Sequence, residues 1–277
     1  NIDGENIDKK VVDEFGNEWT KFYEHSDDLV KKGGEEYFDI LTDEMINKNT
    51  YALDIGCGSG RWTKNLASKV GFIEAVDPSN AIFAADKLLG EIENVRLSKA
   101  SIETLPFADE TFDFVMSIGV LHHVPDTRKA LNDCVRKVKK DGHFFVYLYY
   151  NLDRSGPFYK ILFKISDYIR KFVSRLPGKI KHFVCDILAI IFYMPFILIG
   201  RFFNFLGFKN LSKQMPLHGY QSHSLFVIRN DALDRFGTRL EQRFSAKEIK
   251  EMMEDAGLTE VVISNGIPYY HAVGKKK

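Results

Sequence analysis

Three glycines two apart, Gly56, Gly58 and Gly60, follow the short apolar run Tyr51-Ala52-Leu53-Asp54-Ile55 and precede a helical stretch. Glycines between a buried strand and a helix let bare backbone come close to a ligand and permit positive φ. A dinucleotide fingerprint needs its third glycine where this chain has Arg61, and no Gly-Lys-Ser/Thr follows to form a P-loop. Asp54, two residues before Gly56, would repel a pyrophosphate and suits a ligand carrying an ammonium or sulfonium group. Asp77 stands twenty-one residues after Gly56, at the end of a second apolar run. A carboxylate there can accept from both hydroxyls of a ribose. Cys57, inside the turn, reads as a small buried thiol rather than a nucleophile.

The candidate proton acceptors are histidines, whose ordinary pKa lies near neutrality. His122 and His123 follow the fourth apolar run, and His218 and His223 flank Tyr220 further on. Each pair also has a bland reading, the first as packed structural rings and the second as solvated loop histidines. Arg229 and Arg239 could grip an acidic acceptor, or simply pair with Asp231, Asp234 or Glu241. No spaced cluster of His, Cys and carboxylates suggests a metal.

The elements that position these residues alternate regularly. Strands are expected at 51–55, 72–76, 95–97, 112–117 and 142–149, with helices at 61–70, 81–89 and 127–138 between them. Such alternation implies a doubly wound, mostly parallel α/β sheet. Ser245 caps a further helix, with Glu248 three residues on to bond back, and Gly257 ends it. Strands at 261–264 and 269–273 close the sheet at seven. Residues 1–50 form a polar N-terminal arm in which Trp19, Phe22 and Tyr23 act either as packing anchors or as part of a lid. The core occupies 51–150, a helical insertion 151–243, and residues 244–277 complete the sheet.

The insertion differs in composition. Between Arg154 and Lys181, eight basic residues face one acid, Asp167. Ile161, Leu162, Ile165, Ile169 and Phe172 recur there at roughly helical spacing. An uncharged run from Ile187 to Gly200 follows, shorter than the roughly 20 residues that span a bilayer and interrupted by Pro195, so a transmembrane helix is not expected. The favoured reading is a helical cap. The competing one is a peripheral membrane contact through residues 154–207, lying on anionic lipid.

The chain has 277 residues, 45% hydrophobic and 27% charged, enough for a substantial core. Its formal net charge is zero, so nothing global suggests nucleic acid as partner. Three widely spaced cysteines fit reduced thiols, and with no secretory signal visible the expectation is a cytoplasmic protein, or one peripheral at the inner membrane surface.

Taken together, Leu53-Asp54-Ile55-Gly56-Cys57-Gly58-Ser59-Gly60 resembles motif I of the class I S-adenosylmethionine-dependent methyltransferases, and Val76-Asp77-Pro78-Ser79 resembles their ribose-binding motif. Glu103-Thr104-Leu105-Pro106-Phe107, Thr111-Phe112-Asp113 and Gly119-Val120-Leu121-His122-His123-Val124 are similar to later motifs of the branch related to ubiquinone-biosynthesis methyltransferases. The resemblance implies a Rossmann-like methyltransferase fold with S-adenosyl-L-methionine as donor and S-adenosyl-L-homocysteine as product. By its terms Gly56, Cys57, Gly58 and Gly60 make room for the methionine part, with Asp54 beneath. Asp77 holds the ribose and Pro78 lies against the adenine. Ser101 and Ile102 border that ring, serine standing where the family often has aspartate, and Ser117 and Ile118 border the sulfonium. An insertion after the fifth strand is where this fold builds its acceptor pocket, which draws in Tyr150, Tyr220 and Arg239. The expected reaction is O-methylation of a small or carrier-linked acceptor, a sugar being one example. C-methylation of a quinone-like ring and a non-catalytic donor-binding module stand as alternatives.

Overall fold

The computed structural model describes residues 5–21, 27–151, 156–266 and 270–277. The chain separates into two compact units, one of residues 1–153 and 240–277 and the other of residues 154–239.

The first unit is a seven-stranded sheet in the order β3-β2-β1-β4-β5-β7-β6. β1 (Tyr51–Ile55), β2 (Phe72–Val76), β3 (Val95–Ser98), β4 (Phe112–Ile118) and β5 (Val138–Tyr147) run parallel, and β7 (His271–Lys276) is antiparallel to both β5 and β6 (Leu258–Ile263). Chain order reverses between β1 and β4, so the loops after these two strands open at the crevice where such sheets bind ligands. Side chains alternate between the two faces, as a pleated strand requires. In β4, Phe114 and Met116 join one apolar layer and Val115 the other, and a register shift between Phe112 and Phe114 puts Phe112 in the layer of Val115.

α1 (Lys9–Lys21) and α2 (Asp27–Tyr37) make the N-terminal region helical, where the sequence reads only as a polar arm. Trp19 falls on α1, while Phe22 and Tyr23 lie outside the described residues. α3 (Arg61–Ala67), α4 (Ile82–Leu89) and α5 (Thr127–Arg136) fill the crossovers. α5 stops two residues earlier than expected and β5 starts four earlier. The carbonyls of Arg136 and Lys137 accept from the amides of Glu110, Thr111 and Phe112, which pulls the chain into the sheet at once. The core also takes back residues 240–243 from the expected insertion, since the Gln242 amide bonds the His122 carbonyl and the Phe244 amide that of Tyr149.

The second unit is all helical. It contains α6 (Pro157–Val173), α7 (Gly178–Leu188), α8 (Met194–Phe205), α9 (Lys209–Gln214) and α10 (Leu225–Gly237). Val173, Cys185, Ala189, Tyr193 and Ile197 pack with Ile228, Ala232 and Phe236 of α10 into its core. Half-buried in this unit, the Asp231 carboxylate accepts from the hydroxyls of Tyr193 at 2.6 Å and Tyr220 at 2.5 Å.

One expectation is overturned here. Pro195 does not break the apolar run. A π-helical turn at Ala189–Tyr193 joins α7 to α8, and the Met194 amide reaches back five residues to Ala189. This widening accommodates a ring that lacks an N–H and would otherwise crowd the preceding turn. The result is one continuous helix, Gly178–Phe205, of 28 residues, long and apolar enough to cross a membrane by length and composition.

α11 (Ala246–Asp255) returns to the first unit and opens with the expected reciprocal cap. Ser245 Oγ accepts from the Glu248 amide and Glu248 accepts from the Ser245 amide. Gly257 follows at φ +90°.

Candidate active site

The turn after β1 is stitched to β2. The amides of Gly56 and Cys57 both donate to the Val76 carbonyl, at 2.8 and 3.0 Å. Gly56 and Gly60 hold φ of +78° and +83°, in the left-handed region that favours glycine. A Cβ on Gly56 would lie 2.4 Å from Val120 in the loop after β4, and one on Gly60 would lie 2.5 Å from Leu89 of α4. The glycines therefore let the turn nestle between two neighbours. Cys57 is buried among Ala75, Ile82, Ala85 and Leu89, and burial raises its thiol pKa far above the ordinary range, so it is an inert packing thiol.

Two carboxylates meet beneath this turn. Asp54 is 1% exposed and accepts from the Thr63 hydroxyl of α3 at 2.6 Å. Burial pushes its pKa up to about 7, and the nearby Asp77 adds to the rise. Asp77 accepts from the Gly58 amide at 2.9 Å through Oδ2, and from the Ser79 amide and hydroxyl through Oδ1. It thus fixes the glycine turn, and Oδ2 keeps a second lone pair. Pro78 beside it is half-buried.

Other expected donor residues are tied into the scaffold. Ser101 Oγ is 2.9 Å from Thr104 Oγ1, in a reciprocal cap of the short 3-10 turn Ile102–Thr104. Ile102 packs against the apolar layer beside β4. Ser117 is fully buried and its hydroxyl donates to the Ile55 carbonyl at 3.0 Å, joining β4 to β1 at the switch point. Ile118 packs in the opposite layer.

The turn Leu121–His123 after β4 brings both histidines to the same end of the sheet. His122 is fully buried, stacks on Tyr149 at 3.9 Å and finds no hydrogen-bond partner among the described residues for either ring nitrogen. Burial drives its pKa well below the usual histidine range, with His123 contributing, so it is a neutral imidazole. His123 Nδ1 lies 2.7 Å from the Leu240 carbonyl. A carbonyl only accepts, so Nδ1 carries the proton of the neutral ring and Nε2 is its basic nitrogen. His218 and His223 lie in the second unit, His223 with its ring 5.7 Å from Tyr220. Tyr220 is held there by Asp231, and Arg239 is exposed. Tyr150, in the first unit, packs edge-on to Tyr270.

Several members of this site escape the sequence reading. Phe15 of α1 packs on His123 at 4.8 Å, while a Cβ on the adjacent Gly16 would lie 3.1 Å from Ser79 Cβ. One turn of α1 thus reaches both the His123 ring and the Asp77-Pro78-Ser79 corner. Arg243 lies over the Tyr149 ring at 5.0 Å, donates to Glu241 at 2.7 Å and to the Tyr150 carbonyl at 3.1 Å. Thr63 could have been found from its place in the first turn of the helix after the glycines. Phe15 and Arg243 carry no local signal. Among the described residues no group of His, Cys, Asp and Glu is placed to hold a metal ion.

A glycine turn at the switch point, an acid at the next strand end and aromatic residues after β4 and β5 define a class of nucleoside-binding α/β domain rather than a nucleotide phosphate site. Comparison with known proteins specifies it. Residues 53–146 match the methyltransferase domain family. The chain is 30% identical over 132 residues to the methyltransferase YcgJ of Bacillus subtilis, covering 46% of this chain and 51% of that protein. It is 31% identical over 145 residues to demethylmenaquinone methyltransferase of Staphylococcus aureus, covering 51% and 58%. An S-adenosylmethionine-dependent methyltransferase of Thermotoga maritima superposes with a TM-score of 0.52 at 18% identity, over 97% of this chain and 99% of that one, a likeness of fold. Residues 53–146 therefore form a methyltransferase domain, and the seven-stranded sheet that holds them has the Rossmann-like fold of S-adenosylmethionine-dependent methyltransferases. The chain spans little more than half the length of the curated relatives it matches.

Proposed function

We propose that this protein transfers a methyl group from S-adenosylmethionine to a small or carrier-linked acceptor. The observation that carries the reading is the linked pair Gly58–Asp77, in which the glycine turn and the strand-end acid form one rigid cradle inside the segment that matches the methyltransferase family. The residues fit the donor chemically. Two carboxylates stand beneath the turn, which suits an ammonium and a sulfonium and disfavours phosphate. The donor, when bound, supplies an activated methyl and a neutral leaving group. Asp77 would hold the ribose, and Asp54 and the glycine backbone the methionine portion.

The protein's own contribution is positioning and proton removal. His123 is the favoured base, because the Leu240 carbonyl fixes its tautomer with Nε2 as acceptor. His122 is held neutral and packed, which suits a wall better than a proton shuttle. The favoured acceptor atom is a hydroxyl oxygen, as on a sugar. A second reading, C-methylation of a quinone-like ring, is favoured by the similarity to the staphylococcal demethylmenaquinone enzyme. Methyl-labelled donor incubated with sugar-hydroxyl and demethylated-quinone acceptors tests both. Label in a sugar ether supports the first reading and label on ring carbon the second. Donor binding with no labelled product from any acceptor would instead mark a binding module.

A further inference from the structure

The second unit carries an apolar surface that its own core does not use. The continuous helix of α7 and α8 packs one stripe, Cys185, Ala189, Tyr193 and Ile197, against α10. The opposite stripe, Phe183, Ile187, Ile190, Leu198, Phe202 and Phe205, faces solvent, with Phe183 65%, Ile190 64% and Phe205 86% exposed. At 1.5 Å per residue the helix is about 42 Å long. Six such side chains present on the order of 500 Å² of apolar surface, near the upper end of the largest patch usual on a monomer, about 300–600 Å². α6 repeats the arrangement. Its Val173 and Ile169 turn into the core, while Ile161, Ile165, Tyr168 and Phe172 are exposed.

Charge identifies what can cover these faces. Residues 154–239 hold fourteen Lys and Arg against four Asp and Glu, a formal +10. The rest of the chain holds the other 24 of the 38 basic residues and 34 of the 38 acidic ones, a formal −10, so a neutral protein is strongly polarised. Lys164 and Lys171 of α6 and Lys179 of α7 are exposed on the helices that carry the apolar side chains, and Lys209 and Lys213 are exposed on α9, which follows α8. A second copy meeting these faces through its own would set one +10 unit against another. An anionic bilayer offers hydrocarbon for the phenylalanines and isoleucines and phosphate for the lysines.

We propose that the second unit seats this protein in the interface of an anionic membrane, with the exposed faces of α6 and α7–α8 dipped below the headgroups. The long helix lies in one leaflet and does not cross. α10 packs along it and carries Arg229, Asp231, Asp234 and Arg235, and a crossing helix would draw these charges into hydrocarbon at roughly 2.5–3.5 kcal/mol each.

The test is flotation of the full chain with vesicles of phosphatidylcholine, with and without phosphatidylglycerol. Binding should be at least tenfold tighter with phosphatidylglycerol. High salt should weaken it without abolishing it. The triple variant Phe183→Glu, Ile190→Glu, Phe202→Glu should lose binding while keeping its circular dichroism and its affinity for S-adenosylhomocysteine. Should the triple variant misfold, Phe205→Trp read with brominated lipids gives an independent answer: quenching strongest from bromines near the headgroup supports the seating. No flotation at low salt, undiminished flotation of a folded triple variant, or strongest quenching from bromines at the chain ends would each overturn the proposal. So would a wild-type dimer that the triple variant abolishes without any lipid binding. None of these readouts uses methyl transfer, so their failure and that of the proposed activity are distinguishable.

Discussion

Asp54 shows how a single residue ties the donor reading to solution behaviour. Its carboxyl is buried and titrates near 7 in the folded protein, against an ordinary value of 3.8. The folded state therefore binds more protons than the unfolded state between these values, and stability falls as pH rises from about 4 to about 7. The difference corresponds to about 4 kcal/mol at most. Denaturant titrations should show this decline in the wild type, and Asp54→Asn should flatten it. An ammonium-bearing donor should reverse the preference, so affinity for S-adenosylhomocysteine should rise from pH 6 to pH 8 in the wild type alone. At His123, replacement by alanine should lower kcat at least tenfold while changing donor affinity less than about threefold, as for a general base. Equal turnover would assign the ring to packing. Much of this scale was legible beforehand. Asp54, the three glycines and Asp77 sit at fixed offsets from strand ends, so their meeting at one turn could be read from the chain. Phe15 and Arg243 were hidden because only the folded chain brings them to the histidines, and the Ser117 hydroxyl looked available until β1 was seen to accept it.

Elements are readable where local chemistry and tertiary demand agree. The cap of α11 was visible as Ser245 and Glu248 three apart, and both reciprocal bonds form. Ser245→Ala should cost about 1 kcal/mol of stability, with a fall in Tm of roughly 2–4 °C and no loss of donor affinity. A neutral result would mean that packing of Ile249, Met252 and Met253 alone holds the helix. Strands β1 to β4 were located to within a residue because buried strands in a parallel sheet are short, continuous apolar runs. Two failures have physical causes. The end of α5 was overrun because amides of the β4 entry capture its last carbonyls, an event in distant sequence. Pro195 was taken as a stop because its cost in a regular helix is about 3 kcal/mol, but a π turn placed just before it removes the conflict. That turn converts fourteen uncharged residues into part of a 28-residue helix and changes what the insertion can do.

The whole molecule divides its chemistry between two units of opposite charge. The acidic core holds the family segment, the glycine turn and the histidine pair, and the basic helical unit holds exposed apolar faces. The sequence revealed the division through composition, since the regular strand–helix rhythm stops where the basic run begins. What it could not reveal was which apolar side chains the helices would bury against α10, because that depends on a partner helix some forty residues away. The central claim is that the core's switch-point cradle holds a methyl donor through Asp77. Isothermal titration of the intact protein with S-adenosylhomocysteine, repeated with Asp77→Ala and with a nicotinamide dinucleotide, tests it most directly. The account predicts one site per chain, affinity lowered by roughly 1.5–3 kcal/mol in the variant, as for a lost hydrogen bond to a charged group, and no heat from the dinucleotide. Folded wild-type protein that ignores S-adenosylhomocysteine, or binds it equally well without the Asp77 carboxylate, would contradict it.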